Sequence, residues 1–172
     1  RWAGRRSFTV VETGFGLGVN FLATWQAWRD DPRRCEGLHY VAVDKHPVGR
    51  ADVQRCSGGS VELADCAAGL CAEWPEPVAG WHRLPFELGR VTLTLVFGDV
   101  AEVLPQLRCQ ADAFYLDGFA PDRNPGMWSV EVLRQCARLA AADATLATYT
   151  AARVVRDNLL AAGFAVARRP GY

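Results

Sequence analysis

Four carboxylates fall where apolar, β-branched runs give out: Glu12 after SFTVV, Asp44 after LHYVAV, Asp99 after VTLTLVFG and Asp117 after ADAFYL. A carboxylate accepts hydrogen bonds from hydroxyls, amines and amides, and it holds cations. Parallel α/β sheets bind ligands outside the carboxyl ends of their strands, so all four acids are expected to line one crevice. Each also precedes an expected helix, where an acid serves as an N-cap. That competing role is strongest at Asp99 and weakest at Asp44, which runs into Lys45-His46-Pro47.

Glycines accompany the first acid. In Glu12-Thr13-Gly14-Phe15-Gly16-Leu17-Gly18 they permit a sharp turn and let backbone N–H groups approach a ligand closely. The dinucleotide fingerprint G-x-G-x-x-G needs a small residue at position 19. Val19 stands there and the third glycine comes one place early, so a nicotinamide loop is a poor match. A tight strand-to-helix turn is the plain structural alternative. Asp117 opens the most distinctive stretch, Asp117-Gly118-Phe119-Ala120-Pro121-Asp122-Arg123-Asn124-Pro125-Gly126-Met127-Trp128. A carboxylate at a strand end can orient an amine, and an aromatic ring beside it can shelter a developing positive charge.

The elements that must hold these groups alternate between strand and helix. Period-two runs predict strands at 7–12, 38–43, 81–86, 91–97, 111–116, 145–149 and 164–168. Helical spacing and breakers predict helices at 19–28, 47–56, 61–74, 100–107, 127–141 and 151–162. The runs 81–86 and 91–97 flank a turn at Leu88-Gly89-Arg90 and predict a hairpin. The expected fold is α/β, Rossmann-like: a mostly parallel, doubly wound sheet with an added β-hairpin. One domain spanning 1–172 suits 172 residues, with no repeat or linker visible. The chain starts at Arg1 and stops just after an expected strand, so both ends are expected to be cut.

Composition excludes several classes. Apolar residues make up 50% and charged residues 22%, which rules out a disordered chain or a collagen-like repeat. No apolar run reaches the ~20 residues of a membrane helix. Nineteen basic residues balance nineteen acidic ones, so net charge gives no sign of a nucleic-acid partner. All the basic residues except Lys45 are Arg, which suits planar contacts to phosphate or follows from coding bias. Six cysteines include no C-x-x-C pair, so no metal site is expected and reduced thiols in a cytoplasmic setting are the simpler reading. His39, His46 and His82 are scattered and read as structural.

The acid-x-G-x-G-x-G run after a first strand resembles motif I of class I S-adenosylmethionine-dependent methyltransferases. Against that donor, Asp44 is expected to accept from the ribose hydroxyls, Asp99 from the adenine amino group, and Glu12 to receive the methionine ammonium directly or through water. Four stretches together resemble the methyltransferase-domain family of bifunctional tRNA 5-methylaminomethyl-2-thiouridine biosynthesis proteins. They are Glu12 to Leu22, Phe97-Gly98-Asp99, Leu116-Asp117-Gly118-Phe119-Ala120-Pro121 continuing through Asn124-Pro125 to Met127-Trp128, and Ala147-Thr148-Tyr149-Thr150-Ala151-Ala152 with Val155-Arg156 and Gly163-Phe164. The family usually has Glu where Asp44 stands.

The resemblance implies methylation of the exocyclic amine of 5-aminomethyl-(2-thio)uridine at the tRNA wobble position. It implies tRNA as partner, and a fused or separate FAD-dependent oxidase whose FAD has no place in this chain. Donor-binding residues would be Glu12, Gly14, Phe15, Gly16, Gly18, Asn20, Asp44, Lys45, Gly98, Asp99 and Asp117. Asp117 and Phe119 would act on the amine, and Pro121, Asn124, Met127, Trp128 and Arg153 would face the substrate. Arg153 and Arg156 share a helix face and, with Arg123, are candidates for tRNA phosphates, as are Arg1, Arg5 and Arg6. Two other readings stay open: a small-molecule amine methyltransferase on the same scaffold, and a non-catalytic module.

Overall fold

The computed structural model describes residues 1–56 and 61–167. Among the described residues six strands form one sheet: β1 (Ser7–Thr13), β2 (Gly37–Asp44), β3 (Gly80–Phe86), β4 (Val91–Phe97), β5 (Ala111–Leu116) and β6 (Ala140–Thr148). Their order is β3-β4-β2-β1-β5-β6, with only the β3–β4 pair antiparallel. The expected mostly parallel sheet with an added hairpin is therefore what forms. Sequence order reverses beside β1, between β2 and β5, and this switch point opens the crevice at the strands' carboxyl ends.

Alternation along the central strand builds two cores. Phe8 and Val10 of β1 join Tyr40, Ala42, Leu93 and Leu95 beneath α1 (Val19–Asp30) and α3 (Ala64–Ala72). Val11 faces the other way, joining Val41, Val43 and Val96 against α4 (Val100–Val103), α5 (Val130–Leu139) and α6 (Arg153–Ala161). A strand buried on both faces reads as a nearly continuous apolar run, which is why β1, β2 and β4 are rich in Val and Leu. The edge strand β3 carries Pro85 and Arg83, as an edge permits.

Several boundaries move. The expected helix 47–56 begins later, as α2 (Arg50–Cys56). The expected helix 61–74 is a 3₁₀ turn at Val61–Leu63 followed by α3, and 100–107 becomes α4 plus a 3₁₀ turn at Leu104–Gln106. The expected helix 127–141 is divided. Pro125–Trp128 is a 3₁₀ turn, and Ser129 then caps α5, its hydroxyl accepting from the Val132 N–H at 3.3 Å. Its alanine tail belongs instead to β6, where Ala140 pairs with Ala111. Alanine favours helix intrinsically, but sheet pairing overrides a preference of a few tenths of a kcal/mol. Of the last expected strand, 164–167 follows α6 without forming one, and Arg168 lies outside the described residues, as does the break at Ser57-Gly58-Gly59.

Candidate active site

Strand tips laced by backbone hydrogen bonds frame the crevice. The Gly14 N–H donates to the Val43 carbonyl (2.8 Å), the Gly98 N–H to that of Asp44 (2.9 Å), and the Asp117 N–H to that of Thr13 (2.9 Å). Three loops are thereby held at fixed spacing around a cleft of about 440 Å³. Its size falls within the range of small-ligand sites.

The glycine loop forms one wall. Gly14 has φ +86°, and a Cβ there would lie 2.5 Å from the Asp117 carbonyl oxygen and from Gly118 Cα. Only glycine lets the β1 loop press so closely on the β5 loop. Gly16 also lines the cleft, with open space where its Cβ would stand. Phe15 and Gly18 do not line it. Phe15 is buried against Phe21 and Trp74, and Gly18 backs onto Phe15 and Leu70 as the left-handed N-cap of α1. Both shape the loop from behind rather than touching a ligand.

Three of the four acids reach the cleft. Asp44 accepts from the Gly16 N–H through Oδ2 and from the His46 N–H through Oδ1, both at 2.8 Å. It ties the glycine loop to the β2 tip and keeps lone pairs for hydroxyl donors. Asp99 plays two parts. Its Oδ1 caps α4 through the Ala101 N–H (2.9 Å), and its Oδ2 accepts from Lys45 Nζ (2.9 Å). The ammonium of Lys45, then the Ala101 N–H, hold the Asp99 carboxyl below the usual carboxylate range. Asp117 is exposed at the β5 tip, where its Oδ2 accepts from Asn20 Nδ2 at 2.8 Å.

Glu12 is the exception: it does not line the cleft, and the expectation that it meets a ligand ammonium directly is corrected. The strand runs one residue further than the sequence suggests, to Thr13, so Glu12 lies inside the ladder rather than at its end. Side chains alternate along a strand, which turns Glu12 to the Val10 face beneath α1, where it is 0% exposed. There it accepts from Asn20 Nδ2 (2.7 Å) and from the Tyr40 hydroxyl (2.9 Å). Asn20 does not line the cleft; its amide joins two carboxyls, one below the floor and one in the site.

Beyond Asp117, Phe119, Asn124 and Met127 line the mouth, with Phe119 56% exposed. Trp128 is not in the pocket as expected. It is buried, and its indole N–H donates to the Phe119 carbonyl at 2.9 Å, so it supports the loop from below. Pro121 is half-buried in the loop and off the cleft. Arg153 stands exposed on α6, paired with Asp157 at 3.4 Å, and contributes nothing to the lining. The sequence reading missed His46, which lines the cleft with its ring 6.0 Å from that of Phe119. It also missed Tyr149, whose hydroxyl donates to the Gly118 carbonyl at 2.9 Å. His46 stands two residues after Asp44, and Tyr149 lies in the TYTAA stretch, so position relative to strand ends was the available signal.

The donor set fits S-adenosylmethionine and not a dinucleotide. Three carboxylates face Lys45 and His46, and Lys45 is already matched to Asp99. Such a cleft attracts a sulfonium and an ammonium and repels a diphosphate. Asp44 and Asp99 supply acceptors for hydroxyl and amino groups, while Val48 and Val100 offer apolar contact for a ring.

Residues 61–172 match the family described as S-adenosyl-L-methionine-dependent methyltransferase. The tRNA 5-methylaminomethyl-2-thiouridine biosynthesis bifunctional protein MnmC of Ralstonia nicotianae is 57% identical over 171 residues, covering 99% of this chain and 26% of that protein. The protein of the same name from Burkholderia vietnamiensis is 56% identical over 174 residues, covering 99% of this chain and 27% of that one. The chain thus spans about a quarter of the length of these curated relatives. Among solved structures, MNMC2 from Aquifex aeolicus matches with a TM-score of 0.76 and 20% identity, over 95% of this chain and 49% of that one. That likeness is one of fold.

Proposed function

The chain belongs to the S-adenosyl-L-methionine-dependent methyltransferase family, and from that premise we propose that it methylates the exocyclic amine of 5-aminomethyl-(2-thio)uridine at the wobble position of tRNA. The observation that carries the reading is Asp117, an exposed carboxylate at the β5 tip, in the same cleft as the glycine cradle and the Asp44 and Asp99 acceptors. The relatives' shared name supports the acceptor. We treat 1–172 as one methyltransferase domain acting in the cytoplasm, and an FAD-dependent oxidase, fused or separate, as the source of the amine.

S-adenosyl-L-methionine supplies an electrophilic methyl group on a sulfonium. Gly14, Gly16, Asp44, Lys45, Gly98 and Asp99 would hold it, the two glycines by close backbone approach. Asp117 accepts a hydrogen bond from the acceptor amine and fixes the direction of the nitrogen lone pair. The nitrogen–carbon bond forms as the carbon–sulfur bond breaks, with the electron pair leaving on sulfur. The resulting ammonium gives its surplus proton to Asp117 or water. Orientation alone can supply several kcal/mol of the barrier. Phe119 at the mouth offers a face for the uracil ring to stack on.

The test incubates the protein with S-adenosylmethionine and tRNA carrying the aminomethyl group, followed by nucleoside analysis. Methylaminomethyl-uridine is expected, and Asp117→Ala should abolish it while S-adenosylhomocysteine still binds. A protein that binds S-adenosylhomocysteine yet leaves this tRNA unmodified acts on a different acceptor.

A further inference from the structure

We infer that Glu12 is a positioning residue for the transfer: from beneath the cleft it grips one N–H of the Asn20 amide, so that the other N–H holds Asp117 Oδ2 and leaves Asp117 Oδ1 for the acceptor. The inference rests on the methyl-transfer reading of Asp117. Its basis is a chain of three hydrogen bonds: Tyr40 hydroxyl to Glu12 Oε2 (2.9 Å), Asn20 Nδ2 to Glu12 Oε1 (2.7 Å) and Asn20 Nδ2 to Asp117 Oδ2 (2.8 Å).

Both amide protons of Asn20 are used, one on each carboxyl. The reverse orientation would set its carbonyl against two acids, so the network itself decides the amide's direction. The amide nitrogen therefore has no freedom to follow Asp117 if Asp117 rotates. The chain also crosses four elements, β2 (Tyr40), β1 (Glu12), α1 (Asn20) and the β5 tip (Asp117), so Asp117 inherits the rigidity of the core. A fully buried carboxyl is costly to a fold unless its hydrogen bonds are made, and an apolar residue would fill the space more cheaply. Its presence here, one amide away from the acceptor carboxylate, is accounted for by what it does to Asp117.

Charge supports the arrangement. The groups facing Glu12 are Asn20 from α1, Tyr40 and Asp44 from β2, and Asp117 from the β5 tip; Tyr115 of β5 acts on Tyr40. None of these is a cation. Burial pushes the Glu12 carboxyl up to about 8, outweighing the lowering by Asn20 and Tyr40, and Asp117 and Asp44 add to the rise. Burial thus favours the uncharged form of Glu12.

The test follows the Asn20 side-chain amide by nitrogen-15 NMR in the protein alone, and then turnover. In the wild-type protein the Nδ2 resonances are expected to shift as pH rises through about 8, and Glu12→Gln to remove that shift while S-adenosylhomocysteine binds as before. In turnover, Glu12→Ala should lower kcat by about a hundredfold, the scale of a small misplacement of a reacting group, with KM for the methyl donor nearly unchanged. Glu12→Gln, which still accepts from Asn20, should recover most of that loss. An Asn20 amide indifferent to pH and to Glu12→Gln overturns the inference whether or not the protein methylates tRNA. Equal kcat for Glu12→Ala and wild type overturns it as well. An Asn20 response in a protein that leaves aminomethyl-uridine tRNA unmodified keeps the linkage and sinks the proposed acceptor.

Discussion

Asp117 is held through one oxygen, and that division of labour sets what its substitutions should do. Glu12 shows the same economy at the cost of a titration. An acid whose carboxyl is pushed up in the fold binds its proton more tightly folded than unfolded. The stability it brings is complete below its ordinary value of 4.5 and is withdrawn as pH climbs toward about 8. Urea unfolding between about pH 5 and about 9 is expected to show wild-type stability falling by a few kcal/mol more than that of Glu12→Gln, on the order of a kcal/mol per pH unit. A parallel decline in the two proteins would mean that Glu12 is charged in the fold. Lys45 and Asp99 form the opposite kind of pair: exposed and hydrogen-bonded, it is worth little to stability, and it stands at the rim of the proposed donor site.

At the scale of elements, the segment after β5 shows how a loop is made rigid without regular structure. Trp128 donates to the Phe119 carbonyl, Asn158 of α6 donates to the Trp128 carbonyl at 2.9 Å, and Tyr149 donates to that of Gly118. The acceptor side of the cleft is thereby tied to α6 and to the end of β6. Trp128→Phe keeps most of the buried area and removes only the indole donor. It is expected to cost about 1–2 kcal/mol in chemical denaturation, because the Phe119 carbonyl loses its partner. Turnover should drop further than stability does, through looser Phe119. Ser129, which caps α5, sits on the same segment, and Ser129→Ala should cost about 1 kcal/mol without changing donor binding.

At the scale of the molecule, two apolar layers on either face of one sheet bring the tips of β1, β2, β4 and β5 to a common level. The cleft exists because those tips are laced together, and Gly14 sits at the tightest crossing. Gly14→Ala would force a methyl group into the Asp117 carbonyl and strain a left-handed backbone at once. Thermal melts should separate the variants. S-adenosylhomocysteine at a hundred times its Kd stabilises a binding-competent protein by about 2.7 kcal/mol, so wild type and Asp117→Ala should both shift upward. Gly14→Ala should melt lower and not shift. Among the described residues no helix is long and apolar enough to cross a membrane. The arginines expected to meet phosphate are partly committed: Arg5 to Asp112 and Asp143, Arg6 to Glu36, and Arg153 and Arg156 to Asp157.

The sequence by itself determined the alternation of elements, the hairpin, the glycine loop, and the strand-end positions of Asp44, Asp99 and Asp117. These follow from local rules, since apolar periodicity and turn residues report on the few positions around them. What only the tertiary structure decided was which side chains share a space. Glu12 reads like the other acids until α1 packs over the face it shares with Val10 and buries it. Phe15 and Trp128 read as pocket residues until packing claims their rings. His46 and Tyr149 read as bystanders until the β2 and β6 tips bring them beside the β5 loop. Strand register and helix docking are set by contacts far apart in the chain, and a one-residue shift in register would send every side chain of a strand to the opposite face.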